Sequence, residues 1–166
     1  MNNLHYFIHL FIIYIIQIVI LNNIQIGTYV HINLYILTLF IFPYKLKGVA
    51  LLVSGFLLGF LMDLMTNTIG LNAAATTCVT YLRPWLLKVM INQEKLESGH
   101  FSIDFNGFVR YVIISTLIFN IIYIQMEAFS FSNYGITLLR IILSTFFSLL
   151  CIVLYYFVAL KKIRNH

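Results

Sequence analysis

Residues 48–91 read GVALLVSGFLLGFLMDLMTNTIGLNAAATTCVTYLRPWLLKVMI. Two apolar runs, Gly48 to Met65 and Gly70 to Ile91, flank a tight turn from Thr66 to Ile69. Each run is near the roughly 20 residues that a helix needs to cross a hydrocarbon core, so the stretch reads as a transmembrane hairpin. Within the first run Gly55, Gly59, Asp63 and Asn67 recur at every fourth position and share one helical face. No hydrophobic drive brings helices together in lipid, but a glycine pair at this spacing lets another backbone approach closely enough for dispersion and weak hydrogen bonds. The second run answers with Gly70, Ala73 and Ala74, a small-residue start suited to close packing. The glycine notch is therefore expected to pack the hairpin together, or also to receive a helix from a partner.

The surroundings fit that reading. Of 166 residues 61% are hydrophobic and only 9% charged, against roughly 25% charged in a soluble domain. Such a chain lacks the polar surface to coat a soluble globule. Disorder is excluded by 15 Phe and 11 Tyr with so little charge. Further apolar runs cover Tyr6 to Leu21, Tyr29 to Pro43, Phe108 to Met126 and Ile136 to Leu160. The expectation is an all-α polytopic membrane protein, a single integral membrane domain over residues 1–166 with six spans at 6–21, 29–43, 48–65, 70–91, 108–126 and 136–160. The first run has no basic stretch before it and no small-residue cleavage site after it, and reads as a retained span.

Basic residues give the orientation. Lys45 and Lys47 lie in the 2–3 connection, Lys88, Lys95 and Arg110 around the 4–5 loop, and Lys161, Lys162 and Arg164 in the tail. The other connections carry none, so this side is cytoplasmic by the positive-inside rule. Both termini are then cytoplasmic, which requires an even number of spans. The formal charge of +5 is spread along the chain, and no basic patch points to nucleic acid.

Charges inside a membrane are costly and mark candidate functional positions. Here they are Asp63, Arg83 and Arg140, with Glu127 at the outer rim of the fifth span. Asp63 lies roughly 6 Å inside the outer end of its span and Arg83 roughly 20 Å from the same end, at 1.5 Å per residue. Arg140 matches the depth of Asp63, so an Asp63–Arg140 pair is expected, with Glu127 as the competing partner. Asn72, Thr76, Thr80 and Arg83 form a polar stripe on the fourth span, and Pro84 interrupts its hydrogen-bond ladder. Arg83 is expected to snorkel toward the cytoplasmic interface or to meet a lipid phosphate.

Catalytic groupings are not found. No Ser/His/Asp set, phosphate-binding glycine loop or paired carboxylates occur, and the five His are scattered. Cys78 and Cys151 sit in apolar runs and read as small buried hydrophobes. No metal site or cofactor is expected.

The run Gly55-Phe-Leu-Leu-Gly59-Phe-Leu-Met-Asp63 through Asn67, Gly70, Ala73 and Ala74, followed by Tyr81-Leu-Arg83-Pro84, resembles the MreD family of rod shape-determining membrane proteins. The likeness is greatest to the branch found in Bacteroidetes-type bacteria. Its specific part covers Gly55 to Pro84, and Asn72 stands where many members carry His or another polar residue. The resemblance implies a non-enzymatic protein of the inner membrane that binds the bitopic protein MreC. Through MreC it would serve cytoplasmic MreB filaments and the glycosyltransferase RodA with its transpeptidase, supporting peptidoglycan synthesis and cell shape. In that account the Gly55/Gly59 face accepts a transmembrane helix and Asp63 fixes its register. The rival reading is a solute-binding subunit like the substrate-capture component of energy-coupling-factor vitamin transporters, with Asp63, Glu127 and Arg140 lining a pocket. Those subunits dock through small residues of the first span, and Tyr6 to Leu21 contains no Gly, Ala or Ser.

Overall fold

A computed structural model of the chain describes residues 3–23, 30–41, 48–90, 105–128 and 134–160. Every regular element among these residues is helical. Helix α1 (Asn3–Ile15) continues as one π turn, Ile16–Ile20, and a 3-10 turn, Leu21–Asn23. Residues 30–33 are extended, and a 3-10 turn, Leu34–Ile36, leads into the short α2 (Leu37–Ile41). Then come α3 (Val49–Thr66), α4 (Leu71–Met90), α5 (Phe105–Ala128) and α6 (Tyr134–Tyr155), the last extended by a π turn, Tyr156–Leu160.

Among the described residues, three helices are long and apolar enough to cross a membrane: Val49–Thr66, Asn106–Ala128 and Tyr134–Val158. Helix α4 is as long, but Asn72, Thr76, Thr80 and Arg83 make it less apolar. The second apolar run departs from the expected span over 29–43, because helix begins only at Leu34 among its described residues. Of the residues that carry the orientation reading, Lys88 and Arg110 are described and exposed, while Lys45, Lys47, Lys95, Lys161, Lys162 and Arg164 lie outside the described residues, as does most of the 92–107 loop.

Packing runs α3 on α4, α4 on α5 and α5 on α6, while α1 and α6 enclose the 34–36 turn. Polar groups share the interior with the apolar core, and large apolar side chains line the exterior. Gln17, Asn33, Thr38, Asp63, Asn72, Arg83, Asn120 and Ser148 are buried, while Phe11, Phe56, Tyr81, Trp85, Phe146 and Val158 face outward. An exterior of this kind suits a hydrocarbon solvent, in which only the interior can satisfy polar groups.

The α3–α4 hairpin shows why the glycines are there. A Cβ added at Gly55 would sit 2.2 Å from Thr80 Oγ1, and one at Gly59 would sit 2.0 Å from Thr76 Oγ1 and 2.5 Å from the Asn72 carbonyl oxygen. Thr76 and Thr80 of α4 thus fill the notch that Gly59 and Gly55 leave in α3. The threonine hydroxyls turn back on their own helix: Thr76 Oγ1 donates to the Asn72 carbonyl at 2.6 Å and Thr80 Oγ1 to the Thr76 carbonyl at 2.6 Å. The partner helix expected as a further occupant of the notch has no room there; α4 of the same chain fills it. Small residues at a helix interface permit this close approach of backbones.

The turn between these helices is set by two residues in the left-handed region. Asn67, at φ 54°, ends α3, and the Thr68 N–H closes back on the Asp63 carbonyl at 3.2 Å in the Schellman arrangement. Gly70, at φ 73°, precedes α4 and has open space where a Cβ would be. Both residues were expected to help pack the hairpin. Asn67 is exposed and Gly70 crowds nothing, so each serves backbone conformation instead.

The two glycines differ in a testable way. The nearest obstacles at Gly55 are all atoms of the Thr80 side chain, whereas at Gly59 they include α4 backbone. Gly55→Ala and Gly59→Ala should each destabilise by about 1–3 kcal/mol through overpacking. Adding Thr80→Gly should recover part of the first loss, and adding Thr76→Gly should recover little of the second. Unfolding in mixed micelles measures all four.

Candidate functional site

Asp63 sits one turn beyond the notch, at the C-terminal end of α3, with 4% exposure. Gly70 leaves α4 with no capping side chain of its own, so the first amides of that helix need an acceptor. Asp63 supplies it from the preceding helix. Its Oδ1 accepts from the Asn72 N–H at 3.0 Å and Asn72 Nδ2 at 3.1 Å, and its Oδ2 accepts from the Ala73 N–H at 2.8 Å. Thr68 Oγ1 also donates to Oδ1, at 2.5 Å. The carboxylate stands where a capping side chain would stand, and the helix dipole favours its charge. Ala74 makes the first regular bond of α4, its N–H donating to the Gly70 carbonyl at 3.0 Å.

The expected Asp63–Arg140 pair does not form. Both Asp63 oxygens are engaged by the α4 N-terminus, and Arg140 pairs with Glu127 across the α5–α6 hairpin. Matching depth along the membrane normal was not enough, because the packing sequence puts α6 beside α5 and α3 beside α4.

Asn72 passes the Asp63 contact onward: its Oδ1 accepts from the Tyr35 hydroxyl at 2.8 Å. Tyr35 is fully buried in the 3-10 turn, where residues 30–36 require partners for backbone groups that no helix satisfies. Side chains provide them. Gln17, in the π turn of α1, has its Oε1 accepting from the Leu34 N–H at 2.7 Å and the Tyr35 N–H at 3.3 Å. Its Nε2 donates to the Ile32 carbonyl at 2.7 Å and to Asn22 Oδ1 at 2.9 Å. From α6, Ser144 Oγ accepts the His31 N–H at 3.0 Å and Ser148 Oγ accepts the Asn33 N–H at 2.9 Å. Asn33 Nδ2 donates to Asn120 Oδ1 at 3.1 Å, and Asn120 Nδ2 donates to Thr145 Oγ1 at 3.1 Å. Non-helical backbone at membrane depth is tolerated when protein encloses it in this manner.

Arg83 is enclosed rather than snorkelling. At 1% exposure it is the largest of the fully buried side chains, with the Tyr111 hydroxyl of α5 beside it. The facing helix supplies polar surroundings, so the guanidinium need not reach an interface. Pro84 is exposed, and α4 runs through it without ending. Cys78 faces outward and Cys151 is half-buried, so the buried reading fails for Cys78, whose thiol is apolar enough for the outer face. His9 Nδ1 is hydrogen-bonded to the Tyr155 hydroxyl at 3.0 Å. Among the described residues no group of three or more His, Cys, Asp or Glu could hold a metal ion.

Sequence reading missed the residues that hold the broken segment: Gln17, His31, Asn33, Tyr35, Asn120, Ser144, Thr145 and Ser148. Two signals were present, a single amide side chain in an otherwise apolar first span and serines four apart in the sixth. Compared with known proteins, the chain matches no family model, no curated protein and no solved structure.

Two measurements test this geometry. In double-mutant cycles for unfolding in micelles, Asp63→Asn with Arg140→Gln should be additive within about 0.5 kcal/mol, as for residues without shared partners. Glu127→Gln with Arg140→Gln should show coupling of up to about 1 kcal/mol, the range for a partly exposed pair. Separately, Gln17→Leu raises apolarity but orphans the Leu34 and Tyr35 amides and the Ile32 carbonyl. It should destabilise by about 3 kcal/mol or more, since three buried backbone groups lose a partner and each such loss costs about 1–3 kcal/mol.

Proposed function

We propose that this chain is a non-enzymatic scaffold of the bacterial inner membrane, with six spans and both termini in the cytoplasm. It serves the cell-elongation machinery as an MreD-type protein. It binds MreC through transmembrane helix packing and so supports MreB filaments, RodA and the associated transpeptidase in peptidoglycan synthesis. The observation that carries this reading is where the buried polar groups go. Asp63, Asn72, Tyr35, Gln17, Asn33 and Asn120 bond to one another and to backbone. Chemistry on a substrate would need such groups turned toward an opening; here they hold the fold. The resemblance across Gly55 to Pro84 supplies the family, and the outward apolar faces of α3 to α6 supply surface for lipid and partner helices.

The contact with MreC cannot run through Gly55 and Gly59, since α4 occupies that face. Photocrosslinking residues placed at the outward positions Phe60, Trp85, Leu117 and Phe146 in native membranes test the proposal. Adducts with MreC from one helix face, and lipid adducts from the others, are expected. Lipid adducts at all four positions, with a small solute co-purifying instead, would favour the transporter-subunit reading.

A further inference from the structure

At the end of the bundle that carries the α3–α4 turn, three ionisable side chains meet. Glu127 lies in the last turn of α5 and pairs with Arg140 in the second turn of α6. His31, on the extended segment, has its Nε2 3.2 Å from Arg140 Nη2 and 3.5 Å from Glu127 Oε1. The Tyr123 ring backs the imidazole, with centroids 5.4 Å apart. The side chains of His31 and Glu127 are 34% and 32% exposed and that of Arg140 is 17% exposed, so the cluster opens outward. Glu127 reaches only the Nη2 of the guanidinium, while Arg140 Nε is buried without a hydrogen-bond partner. A guanidinium offers its donors in pairs to planar or tetrahedral oxyanions, and a buried donor without an acceptor marks a place where one is missing.

We infer that this cluster is an oxyanion site closed by the chain's own carboxylate. The ligand class is a phosphate, as a free ion or as the phosphodiester of a lipid headgroup. Arg140 Nε and Nη2 form one edge of the guanidinium, and Glu127 meets only Nη2; Nη2 can only donate, so His31 Nε2, 3.2 Å away, accepts from it and leaves Nε as the donor that no oxygen meets. A phosphate satisfies Nε with one oxygen and Nη2 with another. Glu127, already part-exposed, turns to water when the ligand enters.

The test uses the full chain in a neutral detergent. Native mass spectrometry reads retention of phosphatidylglycerol against diacylglycerol, and thermal midpoints are taken with and without inorganic phosphate. Glu127→Gln, which removes the internal competitor, should tighten binding by about fivefold, the scale of a part-exposed ion pair. Arg140→Lys, which keeps the charge and loses the fork, should weaken it by about tenfold. A midpoint raised by phosphate alone assigns the site to a free ion, and retention of phosphatidylglycerol without that rise assigns it to a headgroup. Glu127→Gln binding no tighter than the natural chain, a result misfolding would also give, overturns the proposal if the variant's midpoint is within a few degrees of normal. Arg140→Lys binding as well as the natural chain overturns it outright.

Discussion

The carboxylate of Asp63 bonded to the first amides of α4 is the constraint on which the hairpin depends. An acid buried in an apolar surrounding is costly unless its lone pairs are filled. Here two backbone amides, one side-chain amide and one hydroxyl fill them. By joining the end of one helix to the start of the next, the contact fixes how far α4 can slide along α3. In that register Thr76 falls opposite Gly59 and Thr80 opposite Gly55. A shift of one residue would replace Thr76 and Thr80 at the notch by Thr77 and Tyr81 in one direction, or by Ala75 and Val79 in the other.

From Asp63 the same bonding continues inward through Asn72 to Tyr35, and so to the broken second segment. On its other sides that segment is held by Gln17 of α1 and by Ser144 and Ser148 of α6. Nearly all elements therefore converge on residues 30–36. Interhelical hydrogen bonds in membranes are individually modest, about 0.6 kcal/mol on average in measured cases. Their effect here is specificity, since the donors and acceptors meet only in this arrangement of the helices.

Much of the fold was legible because it rests on local pattern. Helices α3 and α4 begin and end within a residue or so of the apolar runs that suggested them, and the glycine face and the polar stripe were both visible. What pattern did not reveal was that the stripe fills the notch, although both repeat at four residues. Pairing of charges was misread because sequence gives a residue's depth and not its bearing around the bundle. Arg140 and Asp63 share a level and belong to helices that pack on different neighbours. The interruption at residues 30–33 was hidden because its causes lie in Gln17 and in two serines more than a hundred residues onward. In apolar surroundings, a backbone leaves the helix only where distant side chains receive it.

That distance has a consequence for biogenesis. The His31 and Asn33 amides find their acceptors at positions 113 and 115 residues later in the chain. While a ribosome is still producing the middle of the protein, those acceptors do not exist. The amides of the second segment must then find other partners, such as water, until α6 arrives. Closure of this segment is thus a late event, completed when α6 has been made, rather than a succession of independently settled helices.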